Sequence, residues 1–160
     1  MEEGESLAVY TVEATGVQLA SVSAYKQKWD SSRAVLVTIY MYYSEFESGG
    51  VSWVSIDRYT SKWRVYVSGV SMSSARISAG CASPESWDGP PEECDPPVYT
   101  QTNSFTPSSG VTYVLSPYWR GHYQAIYDAA YQAGSSRVTL RRGTSTWTLT
   151  VCIWEGSCGL

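Results

Sequence analysis

Apolar and polar residues alternate along most of the chain, the pattern of β-strands with one buried face. The alternation is clearest at 138–140 and 147–153, on either side of Arg142-Gly143-Thr144-Ser145. Glycine in that segment can adopt the positive φ of a tight turn, so the pattern predicts a closing β-hairpin. Similar runs predict further strands at 51–56, 63–68 and 111–116. Three tryptophans fall within alternating runs and are expected in the core: Trp53, Trp63 and Trp147.

One run is apolar on both faces. Residues 34–43 alternate in the usual way, but Leu36, Tyr40 and Tyr42 fill the intervening positions. We therefore expect a central strand that is covered on both sides. The run is about half of the ~20 residues that a membrane-spanning helix needs, so no membrane span is expected.

Short clusters of Gly, Pro, Ser, Thr and Asp separate these runs. They predict turns at 15–16, 30–32, 48–50, 60–61, 107–110 and 134–136. Turns at intervals of about 8–15 residues, with β-branched and aromatic residues between them, are typical of an antiparallel β-sandwich. We expect an all-β, single-domain sandwich of Greek-key, jelly-roll or Ig-like type, with roughly eight to ten strands. Residues 123–132 fit a strand or a short helix, and the surrounding pattern favours a strand.

Charge is sparse and unevenly distributed. Charged residues make up 16% of the 160 residues, the net charge is −4, and the acids concentrate at the N-terminus and near residue 90. The sequence predicts a flexible acidic arm over residues 1–7, which could order on a partner, and one β-sandwich domain over 8–160. The basic residues are scattered rather than clustered, so no nucleic-acid partner is expected.

The four cysteines form two close pairs in the sequence, Cys81 with Cys94 and Cys152 with Cys158. Four cysteines allow three pairings, and sequence proximity favours these two local disulfides. Their spacings and a single histidine do not suit a zinc site. The opening Met-Glu-Glu-Gly-Glu lacks the positive charge of a signal peptide, so the protein is either intracellular or a mature form whose signal peptide has been removed. Disulfides persist in oxidising compartments, and the cysteine pattern therefore favours the second interpretation. We expect a secreted, extracellular protein in its mature form, with the signal peptide removed.

The segment between Cys81 and Cys94 differs from the rest of the chain because it is acidic, proline-rich and contains one tryptophan. A rigid loop that displays an aromatic anchor favours recognition of an extracellular protein partner. The residues expected to bind are Glu85, Trp87, Asp88, Glu92, Glu93, Asp95, Pro96, Pro97 and Tyr99. Two other interpretations remain open: a solvated surface loop, and a Ca²⁺ site formed by Asp88, Glu92, Glu93 and Asp95. No EF-hand spacing supports calcium, so no cofactor is expected.

The leading hypothesis is a secreted, non-catalytic protein that mediates protein–protein recognition, as a subunit or adaptor of an extracellular assembly or as an enzyme inhibitor. The alternative is a lectin-like carbohydrate-binding module that uses the aromatic cluster Tyr118, Trp119 and Tyr123. A third hypothesis is a small secreted hydrolase, which would need His122, the single histidine of the chain. Since a lone histidine is weak support for a catalytic relay, no catalytic residue is assigned and the protein is not expected to be an enzyme.

Overall fold

Every regular element of the described chain is a β-strand, as the sequence predicts. The computed structural model describes residues 5–14, 17–82, 98–118, 124–125 and 131–153. The strands in chain order are β1 (Glu5–Ala14), β2 (Val17–Trp29), β3 (Val35–Ser48), β4 (Val51–Val65), β5 (Ser71–Ala82), β6 (Val98–Phe105), β7 (Thr112–Leu115), β8 (Gln124–Ala125), β9 (Tyr131–Arg142) and β10 (Ser145–Ile153). Within these ranges there is no helix with the length and apolar character needed to cross a membrane.

The strands form two antiparallel sheets. The six-stranded sheet has the order β1-β2-β3-β4-β7, and β8 also pairs with β4. The four-stranded sheet has the order β10-β9-β5-β6. Side chains of both sheets share one apolar core, an arrangement consistent with a β-sandwich. The finer choice between Greek-key, jelly-roll and Ig-like types stays a prediction.

The core lies between the sheets and takes every second residue of β3. Val37, Ile39 and Met41 are fully buried there, and Trp63 of β4 is buried beside them. The predicted central position of β3 is confirmed, because β2 and β4 flank it. The prediction that both faces are covered is wrong: Tyr40, on the outer face, is 38% exposed. Tyrosine rings therefore line a solvent-facing surface rather than a second core.

A single long strand replaces the two strands predicted around residue 60. The sequence predicts a turn at Thr60 and Ser61, and this is wrong, because they lie in the middle of β4 and both residues are buried. Each pairs with β3 on one side and with β7 on the other. Two sets of ladder hydrogen bonds outweigh the local turn preference of Thr-Ser, since strand formation depends on such neighbours more than on intrinsic propensity.

A β-bulge adjusts the register of β4 near its middle. Tyr42 is opposite Arg58 while Tyr43 is opposite Ile56, so Asp57 is the extra residue. The Ser44 hydroxyl donates a hydrogen bond to Asp57 Oδ2 at 2.6 Å. Strict alternation would place Asp57 on the core face of β4. The bulge removes Asp57 from the core-facing positions and places Ile56 in the core instead.

Gly134 of β9 lies in close contact with side chains of the six-stranded sheet. The sequence predicts a turn at 134–136, and this is wrong, because these residues lie inside β9 and are buried. A Cβ added at Gly134 would lie 2.6 Å from Cε2 of Tyr59 and 2.9 Å from the methyl group of Met41. The Tyr59 hydroxyl also forms a buried hydrogen bond with Ser136 Oγ at 2.6 Å. The small residues that resemble a turn in the sequence thus make room for a tyrosine of the opposite sheet.

Asp30 ties the β2–β3 turn to the four-stranded sheet. Its carboxylate accepts hydrogen bonds from the backbone amides of Ala34 and Val35 at 2.7 and 2.8 Å. It also accepts bonds from the amide and hydroxyl of Ser32 and, across the sheets, from Trp147 Nε1 at 2.9 Å. Burial by itself would raise the pKa of Asp30, but these hydrogen bonds to the charged form lower it below its usual value.

Most of the other predicted turns are confirmed. Residues 30–32, 48–50, 107–110 and 142–145 each contain a turn, and Gly49, Gly50, Gly110 and Gly143 have positive φ there. The turn expected at 15–16 lies outside the described residues. The segment 123–132 is described only at Gln124–Ala125 and from Tyr131 onward, where the backbone is extended.

The tryptophans predicted in the core are confirmed there. Trp53 and Trp63 are buried, and Trp147 packs against the core.

The described residues cover the predicted N-terminal arm only in part. β1 begins at Glu5, which pairs with Lys26 of β2, and Leu7 pairs with Ala24. The last three residues of the expected arm are therefore strand residues, while residues 1–4 lie outside the described ranges. The existence of a flexible arm there stays a prediction.

The sheet register limits how the cysteines can pair. Cys81 on β5 is opposite Gln132 of β9, and Cys152 on β10 is opposite Ser135 of β9. Because β9 lies between them, the Cα atoms of the two cysteines are at least two strand spacings apart, about 9.6 Å, and the three-residue offset between Gln132 and Ser135 adds to this. The Cα atoms of a disulfide lie about 4.4–6.8 Å apart, so a Cys81–Cys152 bond is excluded. Residues 94 and 158 lie outside the described chain, so the two predicted disulfides stay predictions.

Replacing Gly134 by alanine is expected to destabilise the fold. The new methyl group would press on the ring of Tyr59, a fully buried side chain, and overpacking of this kind costs about 1–3 kcal/mol. Thermal denaturation followed by circular dichroism measures the loss. The control is Ser145→Ala at an exposed position of β10, for which we expect a change below about 0.5 kcal/mol. Equal stability of Gly134→Ala and this control would contradict the close approach.

The stability of the fold should depend on pH through Asp30. The pKa of this carboxyl is lower in the folded protein than its ordinary value of 3.8, so its contribution is complete above about pH 4 and is lost as the pH falls through the folded value. Asp30→Asn should lower the free energy of unfolding at neutral pH by about 2 kcal/mol and flatten its acid dependence. Denaturant titrations at several pH values measure both effects, with Glu47→Gln, an exposed carboxylate, as the control. An unchanged acid dependence in Asp30→Asn would refute this assignment.

Candidate functional site

The outer face of the six-stranded sheet presents an ordered set of aromatic, hydroxyl and basic side chains. Residues that pair across neighbouring strands point to the same face, so the register defines rows that run from β2 to β7. One row contains Tyr25, Tyr40, Thr60 and Val114. The next contains Gln27, Thr38, Lys62 and Thr112. Thr60 has a short side chain and lies between Tyr40 of β3 and Val114 of β7, whose side chains are more exposed. The surface is therefore concave at Thr60.

Three tyrosines form a stacked cluster on the β2–β3 side of this surface. The rings of Tyr25 and Tyr40 are 5.5 Å apart, centroid to centroid, with an interplanar angle of 29°. Tyr40 and Tyr42, two residues apart on β3, have centroids separated by 6.2 Å and an angle of 19°. Offset stacking of this kind holds aromatic rings in place on a sheet face. The cluster offers ring surface and phenol hydroxyl groups in a fixed arrangement.

Basic side chains lie along β4, next to the tyrosines. Arg58 places its guanidinium carbon 4.1 Å from the centroid of the Tyr42 ring, a cation–π contact. Lys62 and Arg64 follow on the same face of the strand, because residues four and six positions further along point the same way. Among the described residues, no carboxylate forms an ion pair with Arg58 or Lys62.

These side chains enclose a groove of about 340 Å³. We call it the tyrosine groove and define it by its eight lining residues: Thr38, Tyr40, Tyr42, Arg58, Thr60, Lys62, Thr112 and Val114. Thr60 forms the floor, being 8% exposed, and the 51%-exposed Val114 forms the wall on the β7 side. Arg58 and Lys62 stand at the two ends of the floor, about 13 Å apart along the strand.

Hydroxyl groups supply most of the hydrogen-bonding capacity of the tyrosine groove. Three threonines and two tyrosines contribute five hydroxyls to the lining, and each can donate or accept. Gln27 Nε2 donates to Thr38 Oγ1 at 3.1 Å, which fixes that hydroxyl at the edge of the groove. The groove therefore combines aromatic rings, hydroxyls and two cations, and it can bind a ligand that carries hydroxyl and acidic groups.

The protein-binding residues predicted from the sequence are not tested by the structure. Those from Glu85 to Pro97 lie outside the described chain, and of Tyr99 only its place in β6, opposite Cys81, is described. The calcium ligands considered for this segment lie outside it as well. Within the described residues, no group of three or more His, Cys, Asp or Glu side chains could hold a metal ion.

The predicted carbohydrate-binding cluster is described only at Tyr118. Its side chain is 65% exposed, and its backbone amide donates to Gln101 Oε1 at 2.9 Å. Trp119, Tyr123 and the single histidine, His122, lie outside the described residues. The structure thus supports an exposed ring at Tyr118 and leaves the rest of that prediction open.

The sequence patterns do not predict the tyrosine groove. They predict a second covered face for Tyr40 and Tyr42 and a turn at Thr60. The available signal was the polar series Arg58, Thr60, Lys62 and Arg64, which repeats every second residue as the outer face of a strand does. The alternate positions, which face the core, are apolar except for Ser61. The alternation is therefore incomplete, and the pattern does not predict a strand through residues 60–61.

Comparisons of this chain with protein-family models, with curated proteins and with solved structures find no match.

The contact between Arg58 and Tyr42 should be measurable as a small coupling in stability. A double-mutant cycle with Arg58→Gln and Tyr42→Leu is expected to give about 0.5 kcal/mol, the usual value for an exposed cation–π pair. Urea denaturation of the four proteins measures it. A second cycle with Arg58→Gln and Tyr25→Leu is the control, since Tyr25 stacks on Tyr40 rather than on Arg58, and should give a value near zero. Equal coupling in both cycles would contradict the pairwise contact.

Proposed function

We propose that this protein is a non-catalytic saccharide-binding protein and that the tyrosine groove is its binding site. The observation that carries the proposal is the lining itself, in which stacked tyrosine rings of β3 lie in one groove with threonine hydroxyls of β3, β4 and β7. Sugar units present apolar C–H faces and a dense set of hydroxyls. Aromatic rings cover the former, and hydroxyls that both donate and accept match the latter.

The size and position of the groove support a small or narrow ligand. Its volume of about 340 Å³ lies at the lower end of the range for ligand sites, about 300–1,000 Å³. It lies on paired strands, whose side chains are held by the sheet, and this lowers the ordering cost of binding. A saccharide chain that enters along β4 would contact Tyr40 and Tyr42 on one side and Val114 on the other.

This proposal takes up the carbohydrate alternative of the sequence analysis and moves it to another surface. Recognition of a protein through the segment from Cys81 to Cys94 remains a separate hypothesis. Secretion also stays a prediction, and it is compatible with a protein that binds saccharides outside the cell.

Removing a tyrosine ring from the groove is expected to weaken saccharide binding. Tyr42→Ala should raise Kd by about tenfold, as expected when an aromatic anchor worth about 1.4 kcal/mol is lost. Tyr42→Phe keeps the ring and should retain most of the affinity. A polysaccharide panel with acidic and neutral members identifies the ligand, and isothermal titration calorimetry measures Kd.

Tyr118→Ala is the matched control, because Tyr118 is an exposed tyrosine that is not part of the groove lining. It should bind as the unmodified protein does. Loss of binding in Tyr118→Ala with full binding in Tyr42→Ala would move the site to the surface predicted from the sequence. No binding to any member of the panel would refute the proposed function.

A further inference from the structure

The outer face of β4 concentrates positive charge in a chain whose net charge is −4. Arg58, Lys62 and Arg64 all lie on this face, because even-numbered residues of β4 beyond the bulge point away from the core. Arg64 lies two residues beyond Lys62, near the C-terminal end of β4 and just outside the groove lining. The tyrosine groove itself contains no carboxylate among its described lining residues.

Local charge rather than net charge governs binding at this site in physiological salt. Interactions between exposed charges are screened beyond about 8 Å at physiological ionic strength, so distant acids contribute little. Asp57, the acid next to Arg58 in the sequence, has its carboxylate in a hydrogen bond from the Ser44 hydroxyl. A ligand in the groove would lie in direct reach of Arg58 and Lys62. Arg58 is exposed and Lys62 is partly exposed, and within the described ranges neither forms an ion pair with a carboxylate.

From this geometry we infer that the ligand of the tyrosine groove is an acidic polysaccharide, bound along β4 with its negative groups at Arg58 and Lys62. The inference rests on the proposed function and specifies the class of saccharide. The guanidinium group of Arg58 is held on the ring of Tyr42 and offers a planar set of donors, which suits carboxylate or sulfate oxygens. Lys62 supplies a second positive charge at the other end of the groove.

The sheet architecture favours an acidic polysaccharide over an acidic peptide. An extended peptide usually binds a sheet at a free edge, where its backbone amides and carbonyls find partners. Along the groove, β4 is internal and pairs with β3 and β7, so its own backbone groups are already used. A peptide on this face would leave its backbone without ladder partners. A polysaccharide needs only side-chain partners, and the groove provides them.

Two matched pairs of polymers test the inference and distinguish the source of the negative charge. Polygalacturonate and its methyl ester differ in carboxylate charge, and dextran sulfate and dextran differ in sulfate. We expect at least one charged polymer to bind about tenfold more tightly than its neutral partner, with a loss of about tenfold in affinity between about 0.05 and 0.5 M NaCl. The pair that shows the difference identifies carboxylate or sulfate as the recognised group.

Variants of Lys62 assign the effect to the groove. Lys62→Gln should weaken binding of the charged polymer about fivefold and leave any binding of the neutral polymer unchanged, because only the ionic contact is removed. Lys62→Arg retains the charge and should restore most of the affinity. Arg142→Gln removes the same charge from an exposed position at the end of β9, in the other sheet, and should have no effect. Circular dichroism and thermal denaturation confirm that each variant is folded.

The outcomes separate this inference from the proposed function. Equal binding of charged and neutral polymers, or equal effects of Lys62→Gln and Arg142→Gln, would overturn the inference and leave saccharide binding in place. Polyglutamate that binds as tightly as the charged polysaccharides would overturn it in favour of an acidic polypeptide partner. Absence of binding to all of these polymers would overturn both.

Discussion

The packing of Tyr59 against Gly134 is the constraint on which the rest of the structure depends. It brings β4 and β9 together through a fully buried aromatic ring that also bonds to Ser136. Burial raises the pKa of the Tyr59 hydroxyl, so the group stays neutral and satisfied in the core. Because Tyr59 faces inward, its neighbours Arg58 and Thr60 must face outward. The core contact thereby determines which residues reach the tyrosine groove.

The bulge at Asp57 extends this effect along β4. It lets Ile56 and Tyr59 enter the same core although they are three residues apart, and it takes an acidic residue out of the core-facing repeat. Arg58 is consequently placed opposite Tyr42, whose ring it contacts. At the β2–β3 turn, Asp30 accepts a hydrogen bond from Trp147, so the sheets are connected by polar as well as apolar contacts.

The fold brings basic and aromatic residues together on one face of the six-stranded sheet. The basic residues look scattered in the sequence, but alternation along one strand collects three of them on a single face. The tyrosines of β3, which resemble a second layer of core, form a stacked surface open to solvent. Their combination with hydroxyls favours binding of hydroxyl-rich, negatively charged ligands. The cysteine-bounded segment remains a separate hypothesis and rests on the sequence alone.

The sequence by itself determined the all-β class, most of the turns and the closing hairpin. These features depend on local rules: the two-residue repeat of a strand and the positive φ that glycine permits. Tertiary structure alone decided the roles of Thr60-Ser61 and Gly134-Ser135-Ser136. Both segments have the composition of turns, yet both are strand interiors, because pairing on two sides and close contact with Tyr59 outweigh local preference. The tyrosine groove depends on the register of three strands, β3, β4 and β7, and no single segment of the chain contains that information.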